Sequence, residues 1–386
     1  SFLAACDELG IAVYEEICTW QFIGGKPFID SADAMMAGMI RRDRNHPSII
    51  LWGVMNEGRS KKMFDRLKRT ALSLDPTRLT VYAENTLAEG VSLGTVFTTD
   101  VLGVNYQLES MDALHAAYPR LKMLVSEHTN ATFPRGNPDD EKKQAERIAR
   151  DLDIIEPRTF VAGSALWSMH DYGTDYEPVW PIQRSGVLDE YRNPKEAFHM
   201  IQARWRQDPV LHLASSWNRS HKEGEMVEVR AYTNCDVELY LNEKSLGSRP
   251  PGNPVIWEVP HKKGRIHAVG RKGQGASVED SITTPNKASR IQLSCPAEML
   301  GDGKDAVLVV ARVTDDEGNL VPDYEAEIKF KVRGPARLCG LWGGQSAILK
   351  AGIAGIVLRS EDKKGQVALT ASAPGLRPGP ATIASV

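Results

Sequence analysis

The feature that most constrains the fold is a series of six short apolar runs, which alternate with amphipathic segments between residue 11 and about residue 205. Strands that are apolar on both faces are typical of a parallel sheet, because helices cover both sides of such a sheet. The alternation therefore predicts successive β/α units over the first half of the chain. The six runs are residues 11–16, 49–57, 79–85, 101–107, 122–127 and 161–169.

Helix signals lie between these runs. Ser60 predicts the cap of a helix whose apolar residues recur on one face until Asp75 and Pro76 end it. Near residue 195, the Asn193–Pro194 pair predicts a cap and a first-turn proline for the last helix of this half.

Each predicted strand ends in polar or ionisable residues. In a β/α barrel the carboxyl ends of all strands open on one face, so these residues would meet in one pocket. The fold predicted for residues 1–207 is therefore a (β/α)8 TIM barrel rather than an open sheet. Since closure needs eight strands and six are seen, we expect two strands to precede residue 1. The strand-end residues are Glu15, Glu16, Asn56, Glu57, Glu84, Asn85, Asn105, Tyr106, Ser126, Glu127, His170 and Asp171.

The pattern changes after about residue 208. Short runs with period-two alternation are separated by Gly, Pro and Asn, which is typical of β-sandwiches. The sequence predicts two immunoglobulin-like β-sandwich domains, at residues 208–286 and 287–386. Neither domain holds a convergent set of ionisable residues, so we expect both to be structural or accessory.

Composition narrows the classes of partner. The net charge of −3, with both signs interspersed, gives no basic surface that could follow a phosphate backbone, so nucleic acid is excluded as a partner. No apolar run approaches the length of a membrane span, and the first residues lack the layout of a signal peptide. A soluble chain with a small, mostly neutral ligand is expected, and a homo-oligomer stays open.

The cysteines indicate neither a zinc site nor a disulfide framework. They are scattered without C-x-x-C or histidine spacing, which favours free thiols and a reducing compartment. A targeting signal could have been removed, so cytoplasmic, periplasmic and secreted locations all stay open. The five are Cys6, Cys18, Cys235, Cys295 and Cys339.

Glu57 and Glu127 are the carboxylates set most deeply at apolar strand ends. Hydrolysis of a glycosidic bond needs two carboxyl groups, one protonated to act on the leaving oxygen and one ionised to attack or to steer water. Trp167 offers an apolar face on which a pyranose ring can stack. A glutamate at a strand end can equally be a cap, an ion-pair partner or a surface group, so position alone leaves both interpretations open.

Five segments of the sequence carry a more specific signal. RRDRNHPSIILWGVMNEG (41–58) resembles the acid–base signature of glycoside hydrolase family 2, and MLVSEHTNATFP (123–134) resembles its nucleophile segment. ALWSMHDYG (165–173) with SGVLDEYRNPKEAF (185–198) is similar to the eighth strand, and DELGIAVYEEICTWQF (7–22) to the third.

The resemblance extends beyond the barrel. TNCDVELYLNEKSLG (233–247) and DGKDAVLVVARVTDDEGNLVPD (302–323) are similar to two sandwiches that follow the barrel in many bacterial β-galactosidases.

The resemblance implies roles for individual residues. Glu57 would be the general acid–base, and Glu127 the nucleophile. Asn56 would hold the 2-hydroxyl of the sugar, Tyr106 would donate to Glu127, and Trp167 would form the floor of the site.

Four further pocket residues are implied by the same resemblance, with structural alternatives. Trp20 could be barrel-rim packing, and Glu16 could anchor His46 or Arg42. A divalent ion near Glu16 is a family analogy that the local spacing does not show, and no cofactor is required. The four residues are Glu16, Trp20, His128 and Asp171.

The function implied is that of a retaining β-galactosidase, with carboxyl groups about 5 to 5.5 Å apart. Residues 183–185 lack the Asn-x-Lys motif of glucuronide-specific members, although Arg184 could meet a carboxylate by another geometry. The alternatives are a β-glucuronidase, another β-glycosidase of the family, or a non-catalytic carbohydrate-binding fragment.

Overall fold

The chain folds into two compact units. A computed structural model describes residues 1–174, 182–273, 275, 277–340 and 344–386. The first unit comprises residues 1–130 and 147–168, and the second comprises residues 131–146 and 169–386. Within the described part of the chain, no helix has both the length and the apolar character that crossing a bilayer requires.

Among the described residues, seven α-helices lie between residues 2 and 205, together with two short 3-10 helices at Thr95–Phe97 and Leu108–Ser110. One of the boundaries between the two units falls within the sixth helix. The helices are α1 (Phe2–Leu9), α2 (Lys26–Asp43), α3 (Lys61–Leu74), α4 (Leu87–Leu93), α5 (Met111–Ala117), α6 (Pro138–Ile155) and α7 (Glu196–Trp205).

The first unit is built on a six-stranded parallel sheet, in which the strands follow each other in chain order. This is the arrangement predicted for successive staves of a β/α barrel, and it brings the carboxyl ends of all six strands to one edge. The strands are β1 (Val13–Glu16), β2 (Ile49–Asn56), β3 (Leu79–Glu84), β4 (Val101–Asn105), β5 (Met123–His128) and β6 (Val161–Leu166).

The helix signals are confirmed at one position and wrong at another. The Ser60 hydroxyl accepts a hydrogen bond of 3.3 Å from the Met63 amide and so caps α3 as predicted. Asn193 does not cap α7, because the helix begins after Lys195. Instead, the Asn193 side-chain amide donates to both carboxyl oxygens of Asp189, at 3.1 and 2.9 Å.

A polar network links α3 to β2 in the core of the first unit. Trp52 on β2 is fully buried, and its indole N–H donates to Asp75 Oδ2 at 3.0 Å. The Arg78 guanidinium lies 2.6 Å from the same oxygen, and the Thr77 amide donates to the other oxygen at 3.0 Å. Burial raises the pKa of Asp75, but these hydrogen bonds outweigh it and hold the pKa below its ordinary value. The carboxylate at the end of α3 thereby fixes this helix against β2.

Where the structure describes it, the second unit contains four larger sheets and a two-stranded one. Residues 211–283 form a three-stranded sheet of order β13-β10-β9 and a four-stranded sheet of order β12-β11-β14-β15. The strands of these two sheets are β9 (Leu211–Ser215), β10 (Met226–Thr233), β11 (Asp236–Leu241), β12 (Lys244–Arg249), β13 (Gly252–Pro260), β14 (Arg265–Arg271) and β15 (Ser277–Thr283). The separate two-stranded sheet pairs β7 (Tyr172–Gly173) with β8 (Ile182–Gln183).

Residues 290–385 form two further sheets, of order β16-β18-β22-β20 and β17-β24-β23-β19-β21. Residues 211–283 and residues 290–385 each enclose an apolar core of their own, which confirms the predicted β-sandwich class of this half. The strands are β16 (Arg290–Ser294), β17 (Glu298–Met299), β18 (Ala306–Thr314), β19 (Glu327–Arg333), β20 (Ala336–Cys339), β21 (Ser346–Ile348), β22 (Ile353–Ser360), β23 (Gly365–Ser372) and β24 (Gly379–Ser385).

We expect Asp75→Ala to lower the free energy of unfolding of the first unit by about 2 kcal/mol or more, because it leaves the buried Trp52 indole without its acceptor and removes the carboxylate that pairs with Arg78. Urea unfolding followed by tryptophan fluorescence measures the change. Asp65→Ala is the matched control, since its ion pair with Lys61 is solvent-exposed and the change should stay within about 0.5 kcal/mol. Equal small effects of both variants would contradict this account of the network.

Candidate active site

Three residues at the carboxyl edge of the sheet have an unusual backbone conformation. Glu57 follows β2 with φ +55°, Tyr106 follows β4 with φ +60°, and Thr129 follows β5 with φ +60°. Non-glycine residues adopt this left-handed region at a cost, and such residues concentrate at functional sites. Backbone hydrogen bonds hold the first two, since the Glu57 amide donates to Ala83 O at 2.9 Å and the Tyr106 amide donates to Glu127 O at 3.0 Å.

Glu57 is buried at this edge, and only 7% of its surface is exposed. Its Oε2 accepts hydrogen bonds from Trp20 Nε1 at 3.0 Å and from Gln21 Nε2 at 3.1 Å. Its Oε1 accepts from Asn105 Nδ2 at 3.0 Å. Three N–H donors therefore fix the orientation of this carboxyl group.

Glu127 lies near the end of β5 and accepts hydrogen bonds from residues at the ends of β2 and β4. Asn56 Nδ2 donates to its Oε1 at 3.2 Å, and the Tyr106 hydroxyl donates to its Oε2. Burial raises the pKa of Glu127, the negative charge of Glu57 raises it further, and the bonds from Tyr106 and Asn56 lower it. The net pKa lies above the ordinary value of a glutamate.

Asn105 connects the two carboxyl groups, and the sequence analysis assigned it no role. It is fully buried, and its Nδ2 donates to both Glu57 Oε1 and Asn56 Oδ1 at 3.0 Å. Its Oδ1 accepts from Ser126 Oγ at 2.6 Å. In the sequence, the position of Asn105 at the end of β4, directly before Tyr106, could have indicated this role.

Glu16 is a third carboxyl group near the pair. Tyr14 donates a 2.5 Å hydrogen bond to its Oε2. Burial raises the pKa of Glu16 to about 7, with further contributions from the charges of Glu127 and Glu57. The shift towards the neutral form has two physical origins, loss of water and repulsion by neighbouring carboxylates.

Glu16 does not serve as the anchor that one alternative predicted. His46 Nδ1 pairs with Asp7 at 2.6 Å, and Arg42 pairs with Asp43 at 2.5 Å. Glu16 instead accepts the hydrogen bond from the Tyr14 hydroxyl.

Two glycines permit the close packing of these side chains. A Cβ at Gly53 on β2 would lie 2.4 Å from Tyr14 Cε2 and 2.6 Å from Glu16 Cβ. A Cβ at Gly103 on β4 would lie 2.5 Å from Ser126 Oγ. All three distances are too short for non-bonded atoms, so a side chain at either glycine position would displace its neighbours.

The remaining predicted residues lie in different surroundings. Trp20 is 52% exposed and contacts Glu57 as described. The Trp167 amide donates to His128 O at 3.0 Å, at the end of β6. His128 is 1% exposed and lies 3.0 Å from Thr129 Oγ1.

Asp171 belongs to the second unit, where Lys195 Nζ lies 2.8 Å from its Oδ1 and both side chains are buried. Burial raises the pKa of Asp171 to about 6, while the charge of Lys195 opposes the shift. The residue is therefore one half of a buried ion pair.

No group of three or more His, Cys, Asp or Glu side chains is arranged for a metal ion within the residues that the structure describes. The expectation that no cofactor is required stays a prediction.

Family models match three parts of the chain. Residues 1–138 match the TIM barrel domain of glycosyl hydrolases family 2. Residues 224–279 match a domain of unknown function, and residues 294–382 match C-terminal domain 5 of glycoside hydrolase family 2.

Relatives match nearly the whole chain. A β-galactosidase of Thermoanaerobacterium thermosulfurigenes is 30% identical over 88% of this chain and 52% of its own length. A β-glucuronidase of Formosa agariphila is 24% identical over 89% of this chain and 38% of its own length. The crystal structure of a β-glycosidase from Bacteroides vulgatus superposes with a TM-score of 0.83 and 25% identity, covering 99% of this chain and 57% of that one.

The chain spans about half the length of three curated β-galactosidases that it matches. Within that span, residues 1–138, which hold β1 to β5, and residues 294–382 of the last sandwich match domains of the same family. The chain belongs to glycoside hydrolase family 2.

Proposed function

We propose that this chain carries the catalytic carboxyl pair of a retaining β-glycosidase. The observation that carries the proposal is the chain of hydrogen bonds from Glu127 through Asn56 and Asn105 to Glu57. Two carboxylates repel each other, so a protein that only bound sugar would gain nothing from placing both on one amide network. A glycosidase needs such a pair because one group must act as nucleophile and the other as acid and base.

In this mechanism Glu127 attacks the anomeric carbon while Glu57 gives its proton to the leaving oxygen. The C–O bond to the leaving group breaks, and a glycosyl ester forms on Glu127. Glu57, now ionised, removes a proton from water, and the water cleaves the ester with overall retention. Neither step requires a cofactor, and no divalent ion enters the mechanism.

Neighbouring residues set the state of the nucleophile. The hydroxyl of Tyr106 and the amide of Asn56 donate to Glu127, so they stabilise its ionised form against the burial that disfavours it. Asn56 can also donate to the 2-hydroxyl of the sugar, a contact that strengthens in the transition state. Trp167, at the end of β6, would supply the apolar floor.

The glycon that we propose is β-D-galactose. It is supported by the 30% identical relative named β-galactosidase. A β-glucuronide is the second candidate, because a 24% identical relative is named β-glucuronidase. Absence of the Asn-x-Lys motif in residues 183–185 favours the galactoside.

Replacing Glu57 by Ala tests the role of the general acid. We expect kcat/KM for galactosides with sugar or alkyl leaving groups to fall about 10²- to 10⁴-fold, because these groups leave only when protonated. A dinitrophenyl galactoside should lose far less in the glycosylation step, since its leaving group needs no proton. Glu89→Ala is the matched control, because that side chain is 53% exposed and pairs with Arg59. Equal losses for both kinds of leaving group would contradict the assignment.

Replacing Tyr106 by Phe tests the control of the nucleophile. The hydroxyl lowers the pKa of Glu127, so its loss should raise that pKa further. Glu127 must be ionised to attack, and the acidic limb of the kcat/KM profile should therefore move to higher pH. Activity should be lost first on the acidic side of the profile and recover as the pH rises. An unmoved limb, matching that of the surface control Tyr118→Phe, would contradict this role of Tyr106.

A further inference from the structure

Two large aromatic side chains are exposed in the segment that supplies hydrogen-bond donors to Glu57. Trp20 is 52% exposed and Phe22 is 69% exposed, and both lie in residues 17–25, between β1 and α2. A single exposed aromatic residue on a protein surface needs no explanation. Two of them, two positions apart in a segment whose Trp20 and Gln21 side chains donate to Glu57, are candidates for contact with a bound substrate.

Backbone hydrogen bonds fix this segment to the end of β2. The Asn56 amide donates to Thr19 O at 3.2 Å, and the Gln21 amide donates to Asn56 O at 3.0 Å. Trp20 and Asn56 form an isolated parallel β-bridge. The segment therefore extends the pairing of the sheet beyond β1, and its position relative to Glu57 is set by the backbone.

The ring of Phe22 is also held in place. It packs against Phe28 in a T-shaped contact, with ring centroids 5.5 Å apart and planes at 87°. A Cβ at Gly24 would lie 2.7 Å from Phe28 Cβ and 3.2 Å from Phe22 Cε1, so this packing requires a glycine there. The ring is thus fixed while more than half of its surface stays open.

The indole of Trp20 connects this surface to the chemistry. Its Nε1 donates at 3.0 Å to Glu57 Oε2, an oxygen of the group that gives a proton to the leaving oxygen in the proposed function. The leaving group of a bound substrate must lie within hydrogen-bond reach of that carboxyl group. Atoms attached to the leaving oxygen therefore come close to the indole.

We propose that Trp20 and Phe22 form the binding surface for the leaving group, and that this surface selects leaving groups that carry a ring with an apolar face. This inference rests on the proposed function and names its substrate class. An aryl ring and a pyranose share the required chemistry, since each presents an apolar face to an aromatic side chain. A methyl glycoside lacks such a face and gains nothing from the surface.

The test uses the full chain and three substrates with one glycon, namely methyl, phenyl and disaccharide β-galactosides. For each variant the quantity measured is the ratio of kcat/KM for a ring-bearing substrate to that for the methyl galactoside. We expect Phe22→Ala to lower this ratio about five- to tenfold, from the loss of one aromatic contact. Comparison of the phenyl and disaccharide arms shows whether the surface serves aryl or sugar rings.

Trp20→Phe separates the hydrogen bond of the indole to Glu57 from the proposed contact of its ring with the leaving group. It keeps an aromatic ring and removes the N–H donor to Glu57, so kcat should change while the selectivity ratio stays within about twofold. Phe97→Ala is the matched control, because Phe97 is 45% exposed and forms a comparable T-shaped pair with Tyr118. It should leave the ratio unaltered.

The outcomes distinguish this inference from the function on which it rests. Hydrolysis of all three substrates with an unaltered ratio in Phe22→Ala would overturn the inference and leave the glycosidase function in place. Failure of the unmodified chain to hydrolyse any β-galactoside or β-glucuronide would overturn the proposed function, and the inference with it.

Discussion

The side-chain amide of Asn105 is the interaction on which the geometry of the site depends. Its two N–H bonds reach Asn56 and Glu57, while its oxygen accepts from Ser126. The group is fully buried, so each of these bonds is made in a setting where a lost partner is costly. Because Asn56 donates in turn to Glu127, the orientation of one amide sets the relation between both carboxyl groups.

The sheet supplies the rest of the placement. Consecutive parallel strands bring Asn56, Asn105 and Glu127 to one edge although they are far apart in the sequence. Glu57 and Tyr106 turn away from the strand direction through left-handed backbone conformations directly after β2 and β4. The paired strands therefore set how far along the sheet each residue lies, and the left-handed backbone of Glu57 and Tyr106 sets the direction of their side chains.

Much of this arrangement could be predicted from the sequence, because apolar runs ending in polar residues are local signals. The runs indicated all six strands, and their ends indicated Glu57, Glu127 and Tyr106. Asn105 was not assigned because its role consists of contacts with residues 48, 49 and 21 positions away, and no local pattern encodes them. Asn193 was misjudged for a different, local reason: its side-chain amide donates to Asp189, four positions earlier, and α7 begins only after Lys195.

Glu16 and Trp20 show the same limit at single positions. The sequence marked both as pocket residues but could not supply their partners, Tyr14 and Glu57. The Tyr14 contact depends on Gly53 of the neighbouring strand, whose missing side chain leaves the necessary space. Such pairwise fits become visible only when the register between β1 and β2 is known.

The most direct test of the account is covalent trapping of the nucleophile. The reagent is 2-deoxy-2-fluoro-β-galactosyl fluoride, whose 2-fluoro group slows hydrolysis of the glycosyl ester so that the ester accumulates. Peptide mass spectrometry then locates the labelled residue. The account predicts a single label on Glu127, abolished in Glu127→Gln and retained in the surface variant Glu89→Ala. A label on Glu57 or Glu16, or no label with either the galactosyl or the glucuronyl reagent, would contradict the assignment of Glu127 as the nucleophile of a retaining glycosidase.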